Sequence, residues 1–371
     1  MKQEQYSEVL TVLERATLAD PDNGAIDFLR AETLENMSQP TEVVRAAYQS
    51  AIRKYEALLQ RQPGDTDNKD VLENLRQLAG TETGPVMNLV EQAAGAAAQL
   101  DFTTAISSAR QALLLSPQNA QAHLVLGSAL RFSGRPQEGL AELQTAQKLN
   151  PTDPTVYYEL GGAYSQLKSL DEAISSYRRA LELKPDDAKS LAQLANVLWA
   201  AGKPNDAVEP AQRATQLQPS NELFAGTLGM VLVDSKRYTE AVPALHRAIE
   251  LSPTYMLALQ YLGSAYYRLN QLNESVAILR KLIELNPQNT DMQIGYAFVL
   301  AEQGAAEKAF EAGQRALTLK ADPNNPLLQY ALGVGYRARG KTAEANSAFQ
   351  VVLDSTTVEP QLKDKVRGLM K

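Results

Sequence analysis

This 371-residue chain offers little from which to build catalysis: two histidines, 43 Asp and Glu, and no cysteine. Without cysteine there is no thiolate nucleophile, thiolate metal site or disulfide. His123 and His246 lie far apart, and neither has a second histidine or a carboxylate at metal-ligand spacing. Both are expected as packed or surface histidines. No Gly-rich phosphate loop follows a strand pattern, and no nucleophile elbow is present. Gly161-Gly162 is the nearest approach to a phosphate loop, and Arg178-Arg179 and Arg337/Arg339 are expected as solvated helix charges. The carboxylates are scattered, so no acid–base pair can be singled out. The chemistry expected is recognition: no enzyme, no cofactor and no metal.

Recognition needs elements that hold side chains in register, and the chain has a ruler. Prolines recur at Pro117, Pro151, Pro185, Pro219, Pro253 and Pro287, each 34 residues from the last. A period of 20–50 residues marks a repeat architecture. With this proline as position 32, repeats begin at Val86, Ala120, Pro154, Ala188, Glu222, Met256 and Thr290, and an eighth begins at Pro326 after two extra residues. Position 8 reads Ala93, Gly127, Gly161, Ala195, Gly229, Gly263, Ala297, Gly333; position 20 is Ala, Gly or Ser throughout. Small residues there let two helices approach closely, and the leucines common at position 7 fill the space beside them. Each repeat is expected to form two helices. Asp171, Asn205 and Thr239 are read as N-caps of second helices, and Gly134, Gly202, Gly304 and Gly340 as turns. Pro210 and Pro243 fall inside second helices, where bends are expected.

The pattern resembles the tetratricopeptide repeat family. Repeat three carries nearly the whole motif: Tyr157, Leu160, Gly161, Tyr164, Ala173, Tyr177, Ala180 and Pro185. The resemblance covers residues 86 to about 357. It implies an all-α fold: a right-handed superhelical α-solenoid of antiparallel helix pairs. It also implies a concave groove lined by the first helices, with positions 2, 5, 9 and 12 facing it. Spacings of three and seven residues keep these on one helix stripe. Positions 5 and 9 are uncharged in every repeat, from Val90 and Ala94 to Tyr330 and Val334. The Lys/Asn clamp by which chaperone-binding members hold a terminal carboxylate is absent: those slots hold Leu124/Ser128 or Tyr158/Gly162. The asparagine ladder of sugar-transferring relatives is reduced to Asn196. The residues expected to contact a partner are therefore Tyr158, Asn196, Trp199, Met230, Tyr267, Phe298 and Tyr330, the large aromatics acting as anchors. The groove columns also pack first helices against their neighbours, a role that suits Val90, Leu124 and Ile294.

The partner expected is a protein or peptide with apolar anchors, and the function is a non-catalytic protein–protein interaction scaffold. Net charge is −7 and pI about 5.2, the wrong sign for a general nucleic-acid or anionic-membrane role. No run of about 18 apolar residues suggests a membrane span, and the compartment is left open. The domain organisation expected is degenerate helical repeats over 1–85, eight repeats over 86–359 and a polar capping helix over 360–371. Residues 6–21 match only the second half of a repeat. Two further expectations follow: self-assembly into a homo-oligomer through the helix at 2–19, and the repeat portion of a larger envelope, secretion or polysaccharide-export protein. Helices are also expected over 25–36, 41–61 (capped by Thr41) and 69–79, with a turn at 62–68 and a short linker at 80–85.

Overall fold

Helices account for every regular element among the described residues, which are 2–37, 41–61, 65, 67–72 and 84–370 of this computed structural model. The chain divides into two compact units, Met1–Leu183 and Lys184–Lys371. Among the described residues, the first holds the N-terminal helices Lys2–Ala19, Gly24–Asn36 and Thr41–Arg61, a helical stretch at 67–72, and repeats one to three; the second holds repeats four to eight and a C-terminal helix, Pro360–Leu369.

The small columns set how each helix pair closes. A Cβ on Gly127, Gly161, Gly229 or Gly333 would lie 2.4–2.7 Å from the side chain at position 24 of the same repeat: Leu143, Tyr177, Leu245 or Phe349. Position 8 is thus the socket for the largest second-helix side chain. Position 20 faces the same crossing: Ser275 Oγ donates to the Gly263 carbonyl at 2.8 Å. Leu143, Leu245 and Phe349 are fully buried there, each worth about 1.5–3 kcal/mol of transfer free energy.

Helix ends follow rules only partly visible in the spacing. First helices are capped from position 34 of the preceding repeat. Asn119, Asp153, Asp187, Asn221, Asn289 and Asn325 each accept from a backbone N–H in the first turn; Tyr255 interrupts the series and makes no such bond. Second helices begin earlier than expected, at Leu170, Pro204 and Tyr238. Asp171, Asn205 and Thr239 are therefore inside the helices, and the residues at the true caps of the latter two, Lys203 and Arg237, make no side-chain cap bond. A proline is pre-organised for the first helical position, which moves that start forward. The helices Pro204–Leu217 and Tyr238–Leu251 run on through Pro210 and Pro243.

The turn within each repeat uses one left-handed residue. Position 15 has positive φ in all eight repeats: Gly134, Gly202, Gly304 and Gly340, but also Leu100, Lys168, Lys236 and Asn270. The proline column does more than stop a helix. Its carbonyl accepts from Tyr157 (to Pro151, 3.0 Å), Arg213 (to Pro185, 3.1 Å) and Arg247 (to Pro219, 3.3 Å). Pro323 extends the column past the two-residue insertion and accepts from Gln329.

In the first unit the N-terminal helix, Lys2–Ala19, packs on Gly24–Asn36, which packs on Thr41–Arg61. Asp27 is buried there and held by Lys54 at 2.8 Å and by Ser50. Leu13 is covered, but Val12 and Leu18 are 63% and 85% exposed. Residues 67–72 are helical; the rest of the helix expected over 69–79, most of the 62–68 turn and residues 80–83 of the linker lie outside the described residues.

Candidate functional site

Neither histidine is free for chemistry. His123 has its two ring nitrogens 2.6 Å from Glu142 and 3.0 Å from the Pro117 carbonyl. His246 Nε2 lies 2.6 Å from the Tyr266 hydroxyl. Among the described residues no group of three or more His, Asp or Glu could hold a metal ion, and no helix is long and apolar enough to cross a membrane.

The first-helix face of the first unit carries a buried ion pair. Arg131, at groove position 12, points two guanidinium N–H groups at one oxygen of Glu159 (3.1 and 2.5 Å), with the two side chains only 8% and 12% exposed. The guanidinium lies 3.9 Å from the ring centre of Phe132, and a Cβ on Gly162 would sit 3.0 Å from its carbon. Gly162 is therefore the space in which the guanidinium lies. Tyr158 is half-buried beside this pair, edge-on to Tyr177 at 5.8 Å. Burial, with Tyr158 next to it, pushes the Tyr177 hydroxyl well above the ordinary tyrosine range.

In the second unit two aromatic groups involve that unit's own first helices. Half-buried Trp199 donates its indole N–H to Asp234 at 2.6 Å and meets Tyr261 edge-on at 6.1 Å. The Tyr261 hydroxyl is pushed up by burial and by the same carboxylate. Asp234 thus ties first helices of repeats four, five and six. Asn196 accepts from the Thr227 hydroxyl, and Met230 is interior at 3% exposure. Farther along, Tyr267, Phe298, Tyr330 and Phe349 form a ladder with centroid steps of 5.4, 5.6 and 6.5 Å. Tyr267 is half-buried, whereas Phe298 and Tyr330 are 8% and 1% exposed. Two hollows flank the ladder, of about 440 Å³ and 500 Å³, and share Ser264, Tyr267, Phe298 and Leu327. The Tyr330 hydroxyl donates to Glu302, and burial followed by that carboxylate pushes it well above the ordinary range.

Of the seven residues expected at a partner interface, Tyr158, Asn196, Trp199 and Tyr267 retain surface. Met230, Phe298 and Tyr330 are buried, Phe298 against Tyr267 and Tyr330 against Phe298. The spacing rule passed over position 13, where Asp234, Arg268 and Glu302 stand. Position 13 lies eleven residues after position 2, or three turns plus about 20°, so it borders the stripe on the side of position 2.

Two tetratricopeptide repeat family models match the chain, one over residues 199–322 and one over 90–154 and 125–188, together more than half of its length.

The chain belongs to the tetratricopeptide repeat family.

Among curated proteins none gives a match. Several solved tetratricopeptide structures are similar. YrrB, a TPR protein with an unusual peptide-binding site, is 22% identical, with 48% of this chain and 92% of that one covered and a TM-score of 0.45. A tetratricopeptide repeat protein from Parabacteroides merdae is 15% identical, covering 68% and 98%, at 0.47. Pseudomonas aeruginosa pilF is 20% identical, covering 58% and 97%, at 0.47. Tetratricopeptide repeats bind protein or peptide partners, on a fold that is generally non-enzymatic, and this chain is a scaffold of that class.

Proposed function

We propose that this protein holds a partner peptide or helix on its first-helix groove, in the second unit, without catalysing a reaction. The observation that carries the reading is the pair of hollows beside Tyr267 and Phe298. Their volumes fall within the roughly 300–1,000 Å³ of ligand clefts, and their walls mix aromatic and apolar groups with a few polar ones. Trp199 and Asn196 extend the same face toward repeat four, and Tyr158 offers an aromatic edge within the first unit. Large, partly exposed aromatics that are held rigid make good anchors, because little entropy is lost on binding.

Affinity capture with wild type beside Tyr267→Ala and Trp199→Ala tests the reading. Loss of a true anchor weakens binding by about 2 kcal/mol, about thirtyfold. Partners retained equally by both variants, with helicity unchanged by circular dichroism, would contradict it. A second reading, association of copies through the N-terminal helix, is favoured by the exposure of Val12 and Leu18. Light scattering on Val12→Ser/Leu18→Ser tests it: an unchanged mass argues against it.

A further inference from the structure

The C-terminal helix does not simply continue the stack. Beyond Thr342–Asp354 the chain turns back, and Pro360–Leu369 lies against first helices of earlier repeats. Glu359 takes two hydrogen bonds from Arg268, 91 residues before it, at 3.0 and 3.3 Å. Lys365 donates to Glu302, 63 residues before it, at 2.8 Å, on the oxygen that Tyr330 also uses. Val358, just before the first tie, and Leu362, between the two, pack on the cluster of Phe298 and Tyr330 and form one wall of the 440 Å³ hollow with Tyr267. Val366 is fully buried and Leu369 packs on the same cluster. Within the helix, residues 362, 366 and 369 make one apolar stripe, and Val358 stands just ahead of its start.

This is how a ligand sits in a groove, and the groove's charges define it. Arg268 stands at one end and Glu302 farther along, with the aromatic ladder between. A matching segment needs an acid, apolar residues at helical spacing, and a base about two turns after the acid. Residues 359–369 meet that description: Glu359, Leu362, Lys365, Val366, Leu369. The hold is modest. The charged groups of both ties are partly exposed, with Arg268 and Glu359 at 43% and 60% and Lys365 at 46%, so each contributes little. A helix this short is marginal in isolation, so the groove orders it.

We propose that residues 355–370 are a displaceable internal occupant of the groove over repeats six to eight, and that the partner is an amphipathic helix-forming peptide of the same pattern. The inference rests on the scaffold reading above and adds the ligand's chemistry and its competitor.

The probe is a fluorescein-labelled peptide of residues 355–371, titrated by anisotropy into three proteins carrying residues 1–371: wild type, a released variant (Glu359→Gln/Leu362→Ser), and the released variant carrying Arg268→Glu. A groove occupied nine-tenths of the time binds a competitor about tenfold more weakly, so the released variant is expected to bind at least that much tighter than wild type. Arg268→Glu should reverse the gain. Equal affinity for wild type and released protein, sensitive to Arg268→Glu, would overturn the internal-occupant inference while leaving the groove as a binding face. No binding by the released variant would overturn this ligand class, and the scaffold reading would still rest on the Tyr267 and Trp199 captures. Hydrogen exchange on wild type needs no variant to fold. Amides of 361–369 are expected to exchange about a hundredfold faster than those of 346–354, and equal protection would overturn displaceability.

Discussion

Replacing Glu159 by leucine isolates what the buried ion pair in the first unit contributes. At 2.5 Å and an effective dielectric of about 20, the gross attraction to Arg131 is about 6–7 kcal/mol. Most of that offsets the removal of two charges from water, so the pair as a whole adds little. A single substitution is another matter. In Glu159→Leu the guanidinium stays walled between Phe132 and the Gly162 backbone and loses the carboxylate that takes both of its hydrogen bonds. An uncompensated buried charge costs about 3–5 kcal/mol. Arg131→Met/Glu159→Leu removes both charges and keeps similar volume, so it should lie within about 1 kcal/mol of wild type. Arg131→Met alone leaves the Glu159 carboxylate uncompensated in the same way, so the two singles together lose more than the double variant does, and a double-mutant cycle resolves the difference. Urea unfolding followed by far-UV circular dichroism, with amide exchange of residues 154–166 to localise the effect, measures it. Glu159→Leu costing under about 1 kcal/mol, or a double variant as unstable as the single, would refute the reasoning. The result bears on function, because an Arg131 committed to Glu159 is not a cation waiting for an acidic ligand.

Other outcomes follow from the same geometry. Gly134→Ala forces a side chain into the left-handed region at φ 83° and should cost about 1–2 kcal/mol, whereas Lys168→Gly relieves that strain and should be neutral or stabilising; urea midpoints decide. Tyr177 and Tyr330 keep their protons when folded and lose them near the ordinary value of 10.0 when unfolded, so stability should fall as pH rises past that value. Tyr330→Phe should flatten part of that fall, seen in denaturation midpoints across the alkaline range. The Arg268 hydrogen bond holds Glu359 below the ordinary 4.5, so the tie is complete above that pH and fails as pH drops through the depressed value. Exchange of the C-terminal helix should therefore accelerate in acid more than intrinsic chemistry requires.

The array was readable because its signals repeat. A glycine at position 8 says little once, but Gly127, Gly161, Gly229 and Gly333 in phase mark a crossing that recurs, with Leu143, Tyr177, Leu245 and Phe349 as the partners. The proline column was equally plain, although the use of its carbonyl as an acceptor was not. The expected starts differ from the observed ones because Asp171, Asn205 and Thr239 are good capping types, yet the helices begin one residue before them, at Leu170, Pro204 and Tyr238; the Asn/Asp column at position 34 caps the first helices instead. The site was less legible. The family resemblance placed Met230, Phe298 and Tyr330 on the groove stripe, but all three are buried, Phe298 and Tyr330 in one cluster with residues of the C-terminal helix. Arg268 with Glu359 and Glu302 with Lys365 are pairs of long sequence separation, which no period encodes.

The central claim, that first helices of the second unit present the binding face, is tested most directly by photocrosslinking. A photoreactive phenylalanine analogue is placed at 267 on the first-helix face, and in a separate protein at 247 on an exposed second-helix surface. Irradiation with a bound partner, followed by peptide mapping, is expected to give adducts from position 267 and none from 247. Adducts from 247 alone would contradict the account.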